Sequence, residues 1–170
     1  MNSSHRNCPE CGGSGRAVSS VTIGAMLPMT TNADGFRFCK STDCDVVYFS
    51  ERDPAAIYKS RDLKVVVFQK SSAPDRPVCY CFSHSVRDVQ LDAARTGGHK
   101  VVSEIQTKCR DGLDRCEELN PQGSCCLGNV HKLIRATIDS ESNSTNDGAL
   151  MVDGCCGSAD DGHETSNTDQ

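Results

Sequence analysis

The residues here that can do chemistry are its twelve cysteines. The first group is Cys8-Pro9-Glu10-Cys11-Gly12 followed by Cys39-Lys40-Ser41-Thr42-Asp43-Cys44. Two close pairs separated by a strand-rich segment suit a tetrahedral four-cysteine zinc site. The two-residue gap lets the chain turn under a metal with both sulfurs facing it. Glycine lets backbone amides approach the thiolates and offset the formal −2 charge of a zinc tetrathiolate unit. Such a site is closed, so its role is structural. Two disulfides or free thiols are the alternative reading. His5 lies near Cys8 and reads as a solvated histidine.

The second group is Cys79-Tyr80-Cys81-Phe82, Cys116, and Cys125-Cys126. A pair ahead of one helix and a cysteine at the start of a later one can converge on one point. Helix N-termini offer free amides and the positive end of the dipole. They suit a negatively charged centre such as a [2Fe–2S] cluster with four thiolates. Asn120-Pro121-Gln122-Gly123 supplies a turn that returns the chain to it. By spacing alone a second zinc site fits nearly as well. Cys109 reads as a small buried hydrophobe. Cys155-Cys156 stand between glycines in an acidic segment. They read either as a soft-ion site, for Cu(I) or Hg(II), or as a pair without a role.

Positioning these thiols needs strands first and helices second. Phe36-Arg37-Phe38 alternates after an Asp34-Gly35 turn signal. Val46-Val47-Tyr48-Phe49 and Leu63 to Phe68 are β-branched and aromatic runs, also expected as strands. Val86, Val89 and Ala93 fall at helical spacing, with Ser85 as N-cap and Gly97-Gly98 as stop. Val101 or Val102 with Ile105 and Cys109 predict a second helix ending near Gly112. Leu127, Val130 and Ile134 predict a third, to about Ile138. The expected fold is therefore α+β. Residues 1–70 form a β-rich zinc unit, 71–78 a Pro-rich exposed linker, 79–138 a helical unit, and 139–170 a disordered acidic tail.

Composition supports stapling by metal. Leu, Ile, Val and Phe make up 32 of 170 residues, at the edge of what a disordered chain shows. So small a core needs help. Residues 139–170 carry eight acidic side chains and no Lys or Arg, and the overall charge is −5. That balance argues against nucleic acid as a partner. The longest apolar run, Val65-Val66-Val67-Phe68, is far too short for membrane insertion. Residues 1–11 hold no apolar stretch of a secretory signal, so a cytoplasmic, thiol-reducing setting is expected. The five histidines are scattered, and no phosphate loop or nucleophile motif is present.

Several of these motifs occur together in a known family. Cys79-Tyr80-Cys81-Phe82, Thr96-Gly97, Cys116-Glu117, Asn120-Pro121-Gln122-Gly123 and Cys125-Cys126-Leu127-Gly128 resemble the N-terminal domain of CopZ-type copper chaperones. Cys8-Pro9-Glu10-Cys11-Gly12, Phe38-Cys39 and Cys44-Asp45-Val46-Val47-Tyr48-Phe49 agree. The resemblance covers about residues 7 to 138. It implies zinc on Cys8, Cys11, Cys39 and Cys44. It also implies a [2Fe–2S] cluster on Cys79, Cys81, Cys116 and Cys126, in a unit similar to bacterioferritin-associated ferredoxin. Cys126 is preferred because Val130 follows it by four residues, as in those ferredoxins; Cys125 is the alternative. The family's Met-x-Cys-x-x-Cys copper loop has no counterpart in these residues. The resemblance implies copper or other soft-metal handling with electron transfer, including reduction of Cu(II) to Cu(I). A soft-metal exporter or detoxifying enzyme is the implied partner, and no residue names the electron donor. The competing functions are a ferredoxin-like electron carrier without transported metal, and a non-redox zinc-binding interaction module.

Overall fold

The computed structural model describes residues 6–27 and 33–146. Four antiparallel strands, β1 (Gly15–Ala17), β2 (Phe36–Cys39), β3 (Val46–Ser50) and β4 (Ile57–Lys59), lie in that order in one sheet. Arg16 stands opposite Phe38, and Phe38 opposite Tyr48. The register shifts between Val46 and Tyr48, where β3 meets β4. All five residues of β3 are buried, so the strand is covered on both faces. Phe36, Phe38, Val47 and Tyr48 pack with Ile23, Met26 and Leu27 of the helix α1 (Ser20–Met26) and its end. Val46 and Phe49 pack instead with Cys8, Cys39 and Cys44. The sheet thus has an apolar layer on one side and thiols on the other.

A two-stranded hairpin, β5 (Pro77–Cys79) and β6 (His84–Ser85), opens the second half. It leads into α2 (Val86–Thr96), α3 (His99–Arg110), the single turn α4 (Cys116–Leu119) and α5 (Leu127–Asn146). Ser85 caps α2 through a reciprocal pair with Asp88, and Gly97 ends it at φ 70°. Val78, Val89, Ile105 and Val130, all fully buried, make the core of this half together with Cys79 and Cys126.

The α+β class and the strands at 36–38 and 46–49 agree with expectation. So do the helices after Ser85 and after Gly98. Three elements differ. Leu63 to Phe68 is not a strand, because β4 already occupies the sheet edge beside β3. Only Val67 of that run is buried, and Val66 is half exposed. The run is held instead by Tyr80, whose hydroxyl donates to the Val66 carbonyl and accepts from the Phe68 amide. Helix α1 was not expected, since Val21, Thr22, Ile23 and Gly24 are poor helix formers; burial of Thr22, Ile23 and Met26 overrides that. Helix α5 runs eight residues beyond the expected end at Ile138, past the change of composition at Asp139. Extending an established helix costs little, and Ser140 and Ser142 bond back to the carbonyls of Thr137 and Ile138. Residues 147–170 of the expected tail lie outside the described residues. The Pro-rich connection ends early, since Pro77 and Val78 already belong to β5 and Val78 is buried.

Candidate metal centres

The first four cysteines converge. Their Sγ atoms all lie within 4.8 Å of one another. Cys8 Sγ is 3.8 Å from Cys44 Sγ, and Cys11 Sγ is 3.6 Å from Cys39 Sγ. Four sulfurs about 2.3 Å from a tetrahedral zinc ion stand about 3.8 Å apart, so the spacing fits zinc, and no disulfide joins these cysteines. All ten described cysteines are free. The turn under the metal is closed by the Gly12 amide on the Cys8 carbonyl and the Cys8 amide on the Gly13 carbonyl, each at 2.8 Å. Cys8, Cys39 and Cys44 are buried and Cys11 is exposed.

Electrostatics differ among these thiols. The Gly13 amide points at Cys11 and lowers its pKa to about 7. Burial pushes Cys39 up to about 12, against the pull of the Ser41 amide and the nearby Lys70 ammonium. Burial raises Cys44 as well. Lys70, which donates to the Ser41 carbonyl at 2.5 Å, is a contribution the sequence did not flag. It lies far along the chain from Cys39 and in no motif.

The second group is arranged otherwise. Cys81 Sγ is 3.5 Å from Cys116 Sγ, and Cys79 is hydrogen-bonded to Cys126. Among the described residues only the first group brings three or more ligand atoms within 4.8 Å of one another. The second group is therefore two close pairs rather than one tight tetrad. Cys126 is 2% exposed and Cys125 is exposed. Cys79 is held down to about 7, chiefly by its bond with Cys126, with the Phe82 and Cys81 amides helping. Cys126 is raised for the complementary reason, and burial raises Cys116. The Arg115 amide donates to Cys81 Sγ at 3.3 Å. Tyr80, Cys81, Phe82 and Ser83 form the tight turn between β5 and β6, with Ser83 at φ 60°.

The loop from Cys116 to Cys126 is fixed from the sheet half. Thr22 Oγ1 donates to the Glu117 carbonyl at 2.7 Å, and the buried Tyr48 hydroxyl to the Pro121 carbonyl at 2.5 Å. Gln69 Nε2 reaches Gln122 Oε1 at 2.8 Å, and Arg16 Nη1 reaches Ser124 Oγ at 2.6 Å. Asn120, 3% exposed, holds the loop from inside by donating to the Ser124 carbonyl. The first half thus positions the loop that carries Cys116 and Cys126. The turn at residues 120–123 was legible in the sequence; its partners at Thr22, Tyr48 and Gln69 were not, because each lies dozens of residues away.

Other candidates fall into place. Cys109 is half-buried beside the second core, with its pKa raised by burial. His5, Cys155 and Cys156 lie outside the described residues. No helix among the described residues is long and apolar enough to cross a membrane.

Comparison with known proteins bears on the same residues. The family model of the CopZ-type zinc binding domain matches residues 5–64, which include Cys8, Cys11, Cys39 and Cys44. Copper chaperone CopZ of Archaeoglobus fulgidus is 33% identical over 129 residues, 74% of this chain and 60% of that protein. The chain thus spans less than two thirds of that relative's length. The X-ray structure of the Archaeoglobus fulgidus CopZ N-terminal domain superposes with a TM-score of 0.62 at 31% identity. That match covers 75% of this chain and 96% of the solved one.

Proposed function

The chain belongs to the CopZ family and carries its four-cysteine zinc site, and from that premise we propose that it also holds a [2Fe–2S] cluster on Cys79, Cys81, Cys116 and Cys126 and handles copper. The observation that carries this is the split of the second group into two close pairs. A single tetrahedral ion wants four sulfurs mutually near 3.8 Å, as in the first group. Two bridged irons, each with two thiolates, want two pairs set apart. The donors fit as well. The Arg115 amide on Cys81 and the Phe82 and Cys81 amides near Cys79 offset negative charge on the thiolates, as does the Lys108 ammonium.

Such a cluster, when bound, exchanges one electron at a time, and one electron separates Cu(II) from Cu(I). Zinc has no such chemistry, so the first centre shapes the fold and the second gives the activity. The ion so handled would pass to a thiolate-rich partner, an exporter or detoxifying enzyme for soft metals, in a reducing compartment such as the cytoplasm. Free thiols throughout the described chain suit that setting.

Iron, sulfide and zinc analysis of one anaerobic preparation tests the reading. Two irons, two sulfides and one zinc per chain are expected, with a coloured protein. A colourless protein with zinc in both sites overturns it and leaves a zinc-binding interaction module. Because the match spans 60% of the copper chaperone's length, the second reading is an electron carrier with no transported ion. Cu(I) titration separates the two: uptake beyond the resident metals supports copper handling.

A further inference from the structure

Two approaches to the second centre carry opposite charge. Along one, half-buried Cys116 is flanked by exposed Asp114, Glu117 and Glu118, and Arg115 is already paired with Glu118. Along the other, exposed Cys125 lines a recess of about 300 Å³ where the sheet half meets the start of α5. Arg16, Lys40 and Lys132 line it too. A second recess, of about 490 Å³, adjoins it by sharing Gln69, and Lys70 and Arg76 line that one. No Asp or Glu lines either recess. Asp75, next in the chain to Arg76, is paired with Arg87.

Among the described residues none of these five cations is in an ion pair. Arg16 donates to the Ser124 hydroxyl, Lys70 to the Ser41 carbonyl and Arg76 to the Ala73 carbonyl, so their charges stay uncompensated. On a chain of net charge −5 this is a segregated positive face. It calls for an anionic occupant. Each recess is many times the ~10–15 Å³ that one water needs, so the pair suits the side chains of a docking surface rather than one small ion. The face also touches the second centre. Cys125 and Cys126 are joined by one peptide unit, about 3.8 Å between Cα atoms. The Cys125 thiol is near enough to act electrostatically on Cys116 and Cys126.

We propose that the face of Arg16, Lys40, Lys70, Arg76 and Lys132 docks an acidic one-electron carrier protein, which delivers its electron to the second centre past Cys125 and Cys126. The carrier is oxidised by one electron and the iron pair is the acceptor; no bond forms or breaks and no proton moves. Carboxylates on the carrier meet the five cations, while the acidic residues around Cys116 turn the same carrier away from the other approach. The inference rests on the cluster reading and supplies the electron that reduction of Cu(II) consumes.

The test uses the full chain, loaded anaerobically with zinc and iron, and two inorganic trianions. Hexacyanochromate(III), paramagnetic and inert to the protein, should broaden the NMR amide signals of Lys40, Gly128 and Lys132 ahead of others. Hexacyanoferrate(III), which accepts one electron, should reoxidise the reduced protein in stopped flow at a rate that falls as salt rises. The salt range is about 10 mM to about 150 mM, over which the screening length shrinks from about 30 Å to about 8 Å. A chain of net charge −5 acting as a whole would repel the trianion, and the rate would rise with salt instead. Lys40→Glu with Lys132→Glu should slow the low-salt reaction about tenfold or more and reverse the salt trend, with zinc and iron content unchanged. Arg61→Glu with Arg95→Glu makes the same change in net charge at residues that line neither recess, and should do neither. A wild-type rate that rises with salt, or equal slowing by both double variants, overturns the inference. Broadening at the face with no rate change in Lys40→Glu with Lys132→Glu overturns it too, since the face then binds anions without passing electrons. These outcomes defeat the docking alone, whereas a chain that takes up no iron defeats the cluster reading along with it.

Discussion

Of the four zinc thiols, three are buried and Cys11 is exposed. That difference decides what each substitution does. Cys11, with its pKa lowered to about 7 by the Gly13 amide, is about half ionised at neutral pH even without metal. Cys39, near 12 through burial, keeps its proton until zinc displaces it. Zinc uptake therefore releases protons, so binding strengthens as pH rises and fails as pH falls. In the zinc-stripped protein, an alkylating reagent at pH 7 should modify Cys11 first and Cys39 last, read by mass spectrometry of peptides. Cys11→Ser should weaken zinc in a chelator competition and leave the β-sheet signal. Cys39→Ser should lose zinc and lower the melting temperature further, since it leaves a hydroxyl 1% exposed among Val46 and Phe49. An unsatisfied buried hydroxyl costs about 1–3 kcal/mol. At the second centre, Cys126→Ala should abolish cluster absorbance and keep one zinc per chain. Cys125→Ala should keep both; absorbance surviving in Cys126→Ala instead would assign the ligand to Cys125.

Capping shows what local sequence can and cannot reveal about the helices. Ser85 announced the start of α2, and it caps the helix there in a reciprocal pair with Asp88. The start of α3 carried no such sign, because its N-cap is Gly98, which has no side chain to offer. Asp92 of α2 does the work from the neighbouring helix: its Oδ2 accepts from the Val101 amide at 2.9 Å and its Oδ1 from the Thr96 hydroxyl at 2.8 Å. Burial works to raise the Asp92 pKa, and these donors with Lys100 outweigh it, leaving the carboxylate below its ordinary value. Asp92→Ala should cost about 1–3 kcal/mol by stranding a helix-end amide. The folded state disfavours the proton, so the stabilisation is full at neutral pH and is lost as pH falls below the ordinary carboxylate range. Thermal melts of both proteins should therefore differ at pH 7 and converge in acid. The sheet follows the same logic. Val46 to Phe49 was readable because its own residues decide it, and Leu63 to Phe68 was not, because the vacancy at the sheet edge had gone to Ile57–Lys59.

At the scale of the molecule, the zinc half holds the second centre's loop in place. Cys116 and Cys126 bracket a loop whose carbonyls and side chains are gripped by Thr22, Tyr48, Gln69 and Arg16. All four gripping residues come from the half that zinc folds. The cysteine spacing made the four zinc thiols legible, since metal geometry acts over a few residues within each close pair. The coupling between groups was illegible, since it runs through single hydrogen bonds between distant segments. It also explains why a redox-inert ion belongs here: it makes rigid what the small core could not. Tyr48→Phe removes one hydroxyl, leaves every cysteine in place, and strands the buried Pro121 carbonyl. It should cost about 1–3 kcal/mol and shorten the lifetime of the cluster under an iron chelator, with zinc content unchanged. Gly123→Ala should act more strongly in the same direction, because Gly123 sits at φ 64° and an added Cβ would stand 2.8 Å from Thr22 Oγ1. Cluster lifetimes equal to wild type in both variants would show that the second half positions its own cysteines, and that the two centres share a chain but no mechanical link.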